Sequence, residues 1–436
     1  MASDDERVLL VTPCDPGACT IYFGMQRTAL PTAISLALAL NRTLVVPPVE
    51  WYDGQAQAKM NTFRASPEGR LPRFTRFSDL YDMGRLRSTG LRVIDLADLP
   101  SLEYFERAVL STSADVWERS QTAASDSDDE LQPLITHGQI DVGDSLAQLL
   151  RGSTACRRGG GGLQGNLSLS CEDAQQSAEA QANASRTIGS VCATLYGRRF
   201  GFDAIRCGSI RLNSQHWLQA LREWLAPAQS AAVFSVGHHT FTRMAERGSR
   251  AMRIFQHGVR PHPALDDEAE RFVAALKHAH GGAHFVAVHW RHGDYVGYDR
   301  LTPLQLVIEQ TRRVLQSLHG CGGGPSIACP VFLMTNCRNA SALAIIEREL
   351  PTLRYVPSEP WFAEEGARLL VEQSIAARAS EFIGSSRSSV THYIDLLRRF
   401  EPQLSHRAQG DLSLARPHAS PSDPLPRGVA GAKIEL

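Results

Sequence analysis

The chain runs to 436 residues, 43% of them hydrophobic and 21% charged, with a formal net charge of −1. That length exceeds what one simple core usually holds, so two domains with additions are expected. Near-neutral charge without a sustained basic run argues against nucleic acid as the partner. The longest apolar stretch, LPTAISLALAL at 30–40, carries Thr32 and Ser35 and falls short of the roughly 18 residues a membrane-spanning helix needs.

The start, MASDDERVLLVTPC, is acidic and passes directly into a strand-like run, RVLLVTP at 7–13. A secretory leader has a basic start and a longer apolar core, so the chain is expected either in the cytosol or without its targeting segment. After a loop with Pro16 and Gly17, FGMQRT leads into a helix near 26–40, and NRTLVVPP reads as a β-branched strand closed by two prolines. Strand, loop, helix and strand in this order make a βαβ unit, and hence a parallel sheet with helices on its faces. LRVIDL at 91–96 is a further strand.

From about 111 to 190 the composition turns polar, small and Gly-rich (TAASDSDDE, RRGGGGLQGN, EDAQQSAEAQANAS), which reads as inserted loops. Pattern returns with SIRLNSQHWLQALREWL at 209–225, an amphipathic helix. The second half repeats the α/β theme: helix 266–279, strand HFVAVHW, helix 303–318, strand PVFLMTN, helix ALAIIERELP, strand LRYVP, helix GARLLVEQSIAARAS, strand SEFIG and helix SSVTHYIDLLRRF. The expected organisation is an N-terminal Rossmann-like domain over 1–235 carrying the low-complexity insert, a C-terminal one over 236–402, and a disordered tail over 403–436.

Ligands of open α/β sheets bind beyond the carboxyl ends of the strands. Arg291 after HFVAVHW, Asn336 after VFLMT, and Ser385 to Ser389 after EFIG occupy such ends. Ser388 and Ser389 open the last helix, where hydroxyls and free backbone N–H groups make an anion site. Arg291 adds a permanently charged bidentate clamp, so a diphosphate is the natural ligand. A plain N-cap for the serines and an Arg291–Asp294 ion pair in a turn explain the same residues equally well.

Other chemistries find less support. His278, His280, His284, His289 and His292 look like a metal cluster, but no acidic or cysteine partner is interleaved among them. Neither a Walker-type phosphate loop nor a Gly-x-Ser-x-Gly elbow occurs. The nine cysteines permit several bridges with one left over, without any CxxC pair; scattered buried thiols fit them as well. Four of the seven asparagines, Asn41, Asn166, Asn183 and Asn339, lie in N-x-Ser/Thr sequons, which lean toward the secretory lumen. Asn41, beside an apolar run, is expected to be too buried for modification.

Taken in order, four stretches resemble the GDP-fucose protein O-fucosyltransferases of the wider fucosyltransferase superfamily: FGMQRTALPTAISLALALNRTLVVPP, VAVHWRHGDY, VFLMTN and EFIGSSRSSVTHYIDLLRR. They span about residues 7 to 400 and leave 111–190 uncovered. The resemblance implies an α/β fold of the GT-B type, two Rossmann-like domains with a cleft between them, with GDP-fucose held mainly by the C-terminal one and no essential metal or other cofactor. It implies that Arg291 binds the donor β-phosphate, that His289 lies near the guanine, and that Ser388 and Ser389 hold phosphates. Gly24 and Gln26 would belong to a loop lining the cleft near the fucose, and Gly293 and Asp294 would support Arg291, the glycine by allowing a tight turn.

The sequence departs from the family at two places. Met25 stands where the family's loop carries asparagine, and Asn336 stands where it carries aspartate. Asparagine offers the guanine edge a single acceptor and lacks the carboxylate that grips two ring N–H donors. The implied activity is inverting transfer of fucose to a hydroxyl, foremost Ser/Thr of a protein. Its alternatives are an α-1,2-like enzyme acting on a glycan and a non-catalytic relative. The implied partners are GDP-fucose and an acceptor protein domain or glycan, and the implied compartment is the endoplasmic reticulum or Golgi lumen. The lack of a leader or anchor in this sequence leaves the cytosol open.

Overall fold

The computed structural model describes residues 8–12, 23–51, 73–98 and 108–112, and short strands between 139 and 235. It further describes 249–282, 284–293, 295, 301–318, 329–386, 388–401 and 412–413. The chain forms two compact units, Met1–Phe272 with Val356–Ile375, and Val273–Tyr355 with Ala376–Leu436.

In the first unit the described strands β1 (Val8–Thr12), β2 (Thr43–Val46), β3 (Val93–Asp95), β4 (Ala108–Thr112) and β5 (Ala231–Ser235) form a parallel sheet of order β3-β2-β1-β5-β4. Val8, Leu9 and Leu10 are buried, as are Leu44, Val45 and Val46. Such unbroken apolar runs mark strands covered on both faces. The single helix expected near 26–40 is two, α1 (Phe23–Thr28) and α2 (Leu30–Leu40), parted at Ala29. Pro31 explains the break, because it has no N–H to continue the first helix onto Arg27 O, while the opening turn of α2 tolerates it. Helix α2 ends on Asn41 in the left-handed conformation (φ 52°). Arg92 Nη2 donates to both Asn41 O (2.9 Å) and Oδ1 (2.8 Å). Asn41 is exposed, contrary to the expectation of burial.

The first compact unit runs past the 235/236 position to Phe272, inside a helix. Helix α3 (Arg250–Gly258) packs on α2, and the chain after it is stitched to residues 80–82 by backbone bonds from Asp82 N–H to Arg260 O and from His262 N–H to Leu80 O, both 2.9 Å. These bonds keep it with the first unit until midway through α4 (Pro263–Ala279). The expected 266–279 helix therefore starts three residues early.

The second unit holds β6 (Val286–Trp290), β7 (Val331–Thr335), β8 (Thr352–Leu353), β9 (Glu381–Gly384) and β10 (Leu412–Ser413), described strands of a parallel sheet of order β8-β7-β6-β9-β10. Helices α5 (Leu304–Ser317), α6 (Ala340–Glu349), α7 (Glu365–Ala377) and α8 (Ser389–Phe400) alternate with the strands. Val286, Val288 and Trp290 of central β6 join Val307, Ile308 and Ile346 in one core, while Ala287 and His289 point to the opposite face, as strand alternation requires. Most of α7 counts with the first unit, where Arg27 Nη1 donates to Gln373 Oε1 at 3.1 Å in a buried bond. Of the expected LRYVP strand only Leu353 pairs with the sheet, together with Thr352 just before it.

Strand β10 lies within the stretch read from composition as a tail, and its backbone pairs with β9. Within the 111–190 insert the described pieces are strands, such as Thr154–Ala155 paired with Val191–Cys192. Of the helix expected over 209–225 only Ile210–Arg211 is described, as a strand beside Gln139–Ile140. No helix among the described residues is long and apolar enough to cross a membrane. Cys329 is disulfide-bonded, and Cys337 is a buried free thiol.

Candidate functional site

In a parallel strand successive residues turn their backbone groups to alternate neighbours. Strand β6 pairs with β9 as far as His289↔Gly384 and with β7 as far as Trp290↔Thr335. Beyond those rungs side chains take over the ladder on both sides. Toward β9, Ser385 Oγ donates to His289 O and accepts from Arg291 N–H, both at 2.8 Å. Toward β7, Thr335 Oγ1 donates to Trp290 O at 2.7 Å, and Asn336 Oδ1 accepts from His292 N–H at 2.8 Å. Thr335 Oγ1 also accepts from Cys337 N–H at 3.1 Å. The strand end that presents Arg291 is thus fixed residue by residue, and a buried partner left unpaired there costs about 1–3 kcal/mol.

Arg291 itself is half-buried. Its guanidinium carbon lies 5.6 Å from the centroid of the Tyr295 ring, within cation–π range, and the buried Tyr295 donates its hydroxyl to Ser386 O at 3.1 Å. Gly293 was expected to serve a tight turn, and it lies in one that Tyr295 N–H closes on His292 O at 2.8 Å, without a positive φ. The missing side chain also leaves space: a Cβ there would collide with Asn336 Nδ2. Asp294 lies outside the described residues. Asn336, expected to face the guanine, is exposed but has its acceptor engaged by His292 N–H. One lone pair of the expected acceptor thus serves the protein, and the amide nitrogen lies against Gly293.

His289 occupies the other face of β6, buried, with Nδ1 2.8 Å from Thr391 Oγ1 on α8. Burial, reinforced by the positive charge of Arg291, pulls its pKa down to about 3, so the imidazole is neutral near pH 7. Gly384 permits this contact, since a Cβ on it would collide with Thr391 Cγ2. Helix α8 begins behind Ser388, whose Oγ accepts from Val390 N–H at 3.3 Å. The plain N-cap therefore exists, with the Ser388 oxygen accepting from the helix and its O–H still a donor. Half-buried Ser389 is the first helical residue, and no acidic side chain sits in the first turn, leaving the positive end of the helix dipole uncompensated there.

Gly24 and Gln26 were expected in a loop, but the structure places them in α1 of the first unit. Gln26 is buried beside Arg27. Burial pushes the pKa of Tyr81 up, with the Arg27 guanidinium opposing it. The second unit thus gathers His289, Arg291, Asn336 and Gly293 at one strand end and starts α8 from the adjoining strand, while Gly24 and Gln26 belong to a separate body. The histidine cluster does not converge: His284 Nδ1 lies 2.8 Å from Ser380 Oγ, His289 meets Thr391, and His292 packs edge-on against Trp290 at 4.9 Å. Among the described residues no group of three or more His, Cys, Asp or Glu is arranged to hold a metal ion.

Sequence reasoning missed Thr335, Tyr295, Gly384 and Thr391, and gave Ser385 no role of its own. Thr391 follows the Ser388 cap by three residues, so its place on the first turn was readable. Its partner, 102 residues earlier, was not.

The family profile described as GDP-fucose protein O-fucosyltransferase matches residues 22–401. No curated protein matches the chain. Among solved structures, POFUT1 in complex with GDP-fucose is 15% identical, with a TM-score of 0.48 over 94% of this chain and 98% of that one. The fucosyltransferase NodZ from Bradyrhizobium is 16% identical, with a TM-score of 0.38 over 90% and 93%. The sequence profile, which spans most of the chain and every described residue of the strand-end site, decides the assignment: the chain belongs to the GDP-fucose protein O-fucosyltransferase family and is a glycosyltransferase.

Proposed function

We propose that this chain transfers fucose from GDP-fucose, with inversion, to a Ser or Thr hydroxyl of a protein. The observation that carries the reading is the fixed presentation of Arg291 at the end of central strand β6, held by Ser385 at 2.8 Å. As the bond between fucose and diphosphate breaks, negative charge develops on the β-phosphate. A guanidinium set in place beforehand stabilises that charge without reorganising, and the N-terminus of α8 supplies dipolar help of the same sign. The sugar becomes oxocarbenium-like, so stabilising the leaving group matters more than a strong base. Asp15, Glu50 and Asp53 are the candidate bases; Glu50 lies on the strand Val49–Trp51, and the two aspartates lie outside the described residues.

The POFUT1 complexes with GDP and with GDP-fucose support a nucleotide-sugar donor. We place the reaction in the secretory lumen, which the disulfide at Cys329 supports, and without a catalytic metal. The deciding experiment compares GDP binding and GDP-fucose hydrolysis by the wild type and Arg291→Ala. Loss of the guanidinium is expected to lower turnover by about 100-fold or more, and an unchanged rate overturns the proposal. Assays on small folded disulfide domains against free β-galactosides then separate a protein acceptor from a glycan.

A further inference from the structure

We propose that Ser385 is a positioning residue that sets the distance between Arg291 and the start of helix α8, an inference that rests on Arg291 as the diphosphate ligand. The side chain is 1% exposed and uses its hydroxyl in both senses, accepting from Arg291 N–H and donating to His289 O. It stands where the backbone ladder between β6 and β9 has run out, and its side chain continues the pairing on that side of the strand. The next residue acts on the same arginine from its other end. Ser386 O receives the Tyr295 hydroxyl at 3.1 Å, and the Tyr295 ring lies 5.6 Å from the guanidinium carbon. Two residues further on, Ser388 caps α8.

One short connection, from Gly384 to Ser388, therefore grips the arginine's backbone, braces the ring against its side chain, and begins the helix. Both positive elements proposed to meet the diphosphate are registered by Ser385, Ser386 and Ser388. A ligand charge that bridges them needs that spacing fixed before it arrives, because any freedom there must be removed on binding. The role goes beyond fold maintenance: the hydroxyl acts through Arg291, so its effect on the ligand must vanish when Arg291 is absent.

That dependence is the test. Four proteins are compared, wild type, Ser385→Ala, Arg291→Ala and the double variant, by GDP affinity in calorimetry and by turnover of GDP-fucose. Ser385→Ala, which takes the partner from both Arg291 N–H and His289 O, is expected to weaken GDP and to lower turnover about tenfold or more, with kcat falling more than KM rises. In the Arg291→Ala background the same change is expected to cost nothing further. Equal losses in both backgrounds, or no loss in either, overturn the inference and leave the functional reading standing. If Arg291→Ala leaves GDP affinity intact, the functional reading fails and this inference fails with it. Should Ser385→Ala not fold, Tyr295→Phe carries the same cycle, since it removes only the bond to Ser386 O and keeps the ring. It is expected to couple to Arg291 in the same sense, and additivity there overturns the inference equally.

Discussion

Asn336 accepts the His292 N–H at 2.8 Å, so the side chain that follows strand β7 braces the turn that follows strand β6. A carboxylate at that position can keep this bond with one oxygen and place a second acceptor where the amide carries a donor. Asn336→Asp is therefore expected to tighten GDP binding with little change in melting temperature, and calorimetry with GDP checks it. Unchanged affinity shows that residue 336 does not reach the base. Asn336→Ala is expected to weaken GDP by loosening the turn.

Gly384→Ala probes the packing under His289. Its Cβ would collide with Thr391 Cγ2 and stand 3.0 Å from Phe382 Cε1, in a core with no slack. A destabilisation of about 1–3 kcal/mol is expected in urea titration. Thr391→Ser, which deletes Cγ2 but retains the hydroxyl facing His289, is expected to recover part of that loss. Failure of the second change to help places the clash elsewhere.

The histidine pair gives a pH signature. His289 is held to about pKa 3 in the folded chain, chiefly by burial and then by Arg291, against an ordinary value of 6.5. The unfolded chain therefore binds the proton more readily, and stability is full above pH 6.5 and falls as pH drops through the window from 6.5 toward 3. Partly buried His292 is lowered by burial and contributes in the same direction. His289→Gln is expected to flatten the loss between pH 6.5 and 5, measured as the urea midpoint against pH. A slope equal to that of the wild type sinks the assignment of this titration to His289.

Transfer is expected to persist in EDTA, since the charge that a metal would neutralise falls to Arg291 and helix α8 in the proposed mechanism. A loss of turnover on chelation that added divalent cation restores contradicts the proposal.

Much of the second unit was legible because its chemistry is local. Alternation in HFVAVHW, the Ser388 cap and the periodicity of SSVTHYIDLLRRF each declare one element, and the structure places Arg291 and Ser388 where those signals put them. Where the first unit ends was not legible, because it depends on backbone bonds between residues 80–82 and 260–262 that no local pattern announces. Gln26 illustrates a different failure. Reading it as part of a loop followed from resemblance, whereas its place in a short helix follows from Pro31 ending one helix and starting another. The brace around Arg291 was invisible for a third reason. Ser385, Thr335 and Asn336 are ordinary polar residues after strands, and only the sheet order makes them neighbours of one turn.

The alternation of the strand end has a consequence for how this protein can vary over time. His289 and Arg291 turn their main-chain groups to one neighbouring strand, and Trp290 and His292 turn theirs to the other. Deleting or inserting a single residue in this run shifts the phase by half a period and presents each group to the wrong neighbour, however conservative the change in composition. Exchanges that alter side chains but not spacing leave that phase intact. Length at 289–292 is the constrained quantity, and it is the one to inspect first when ranking divergent sequences of this family for a working donor site.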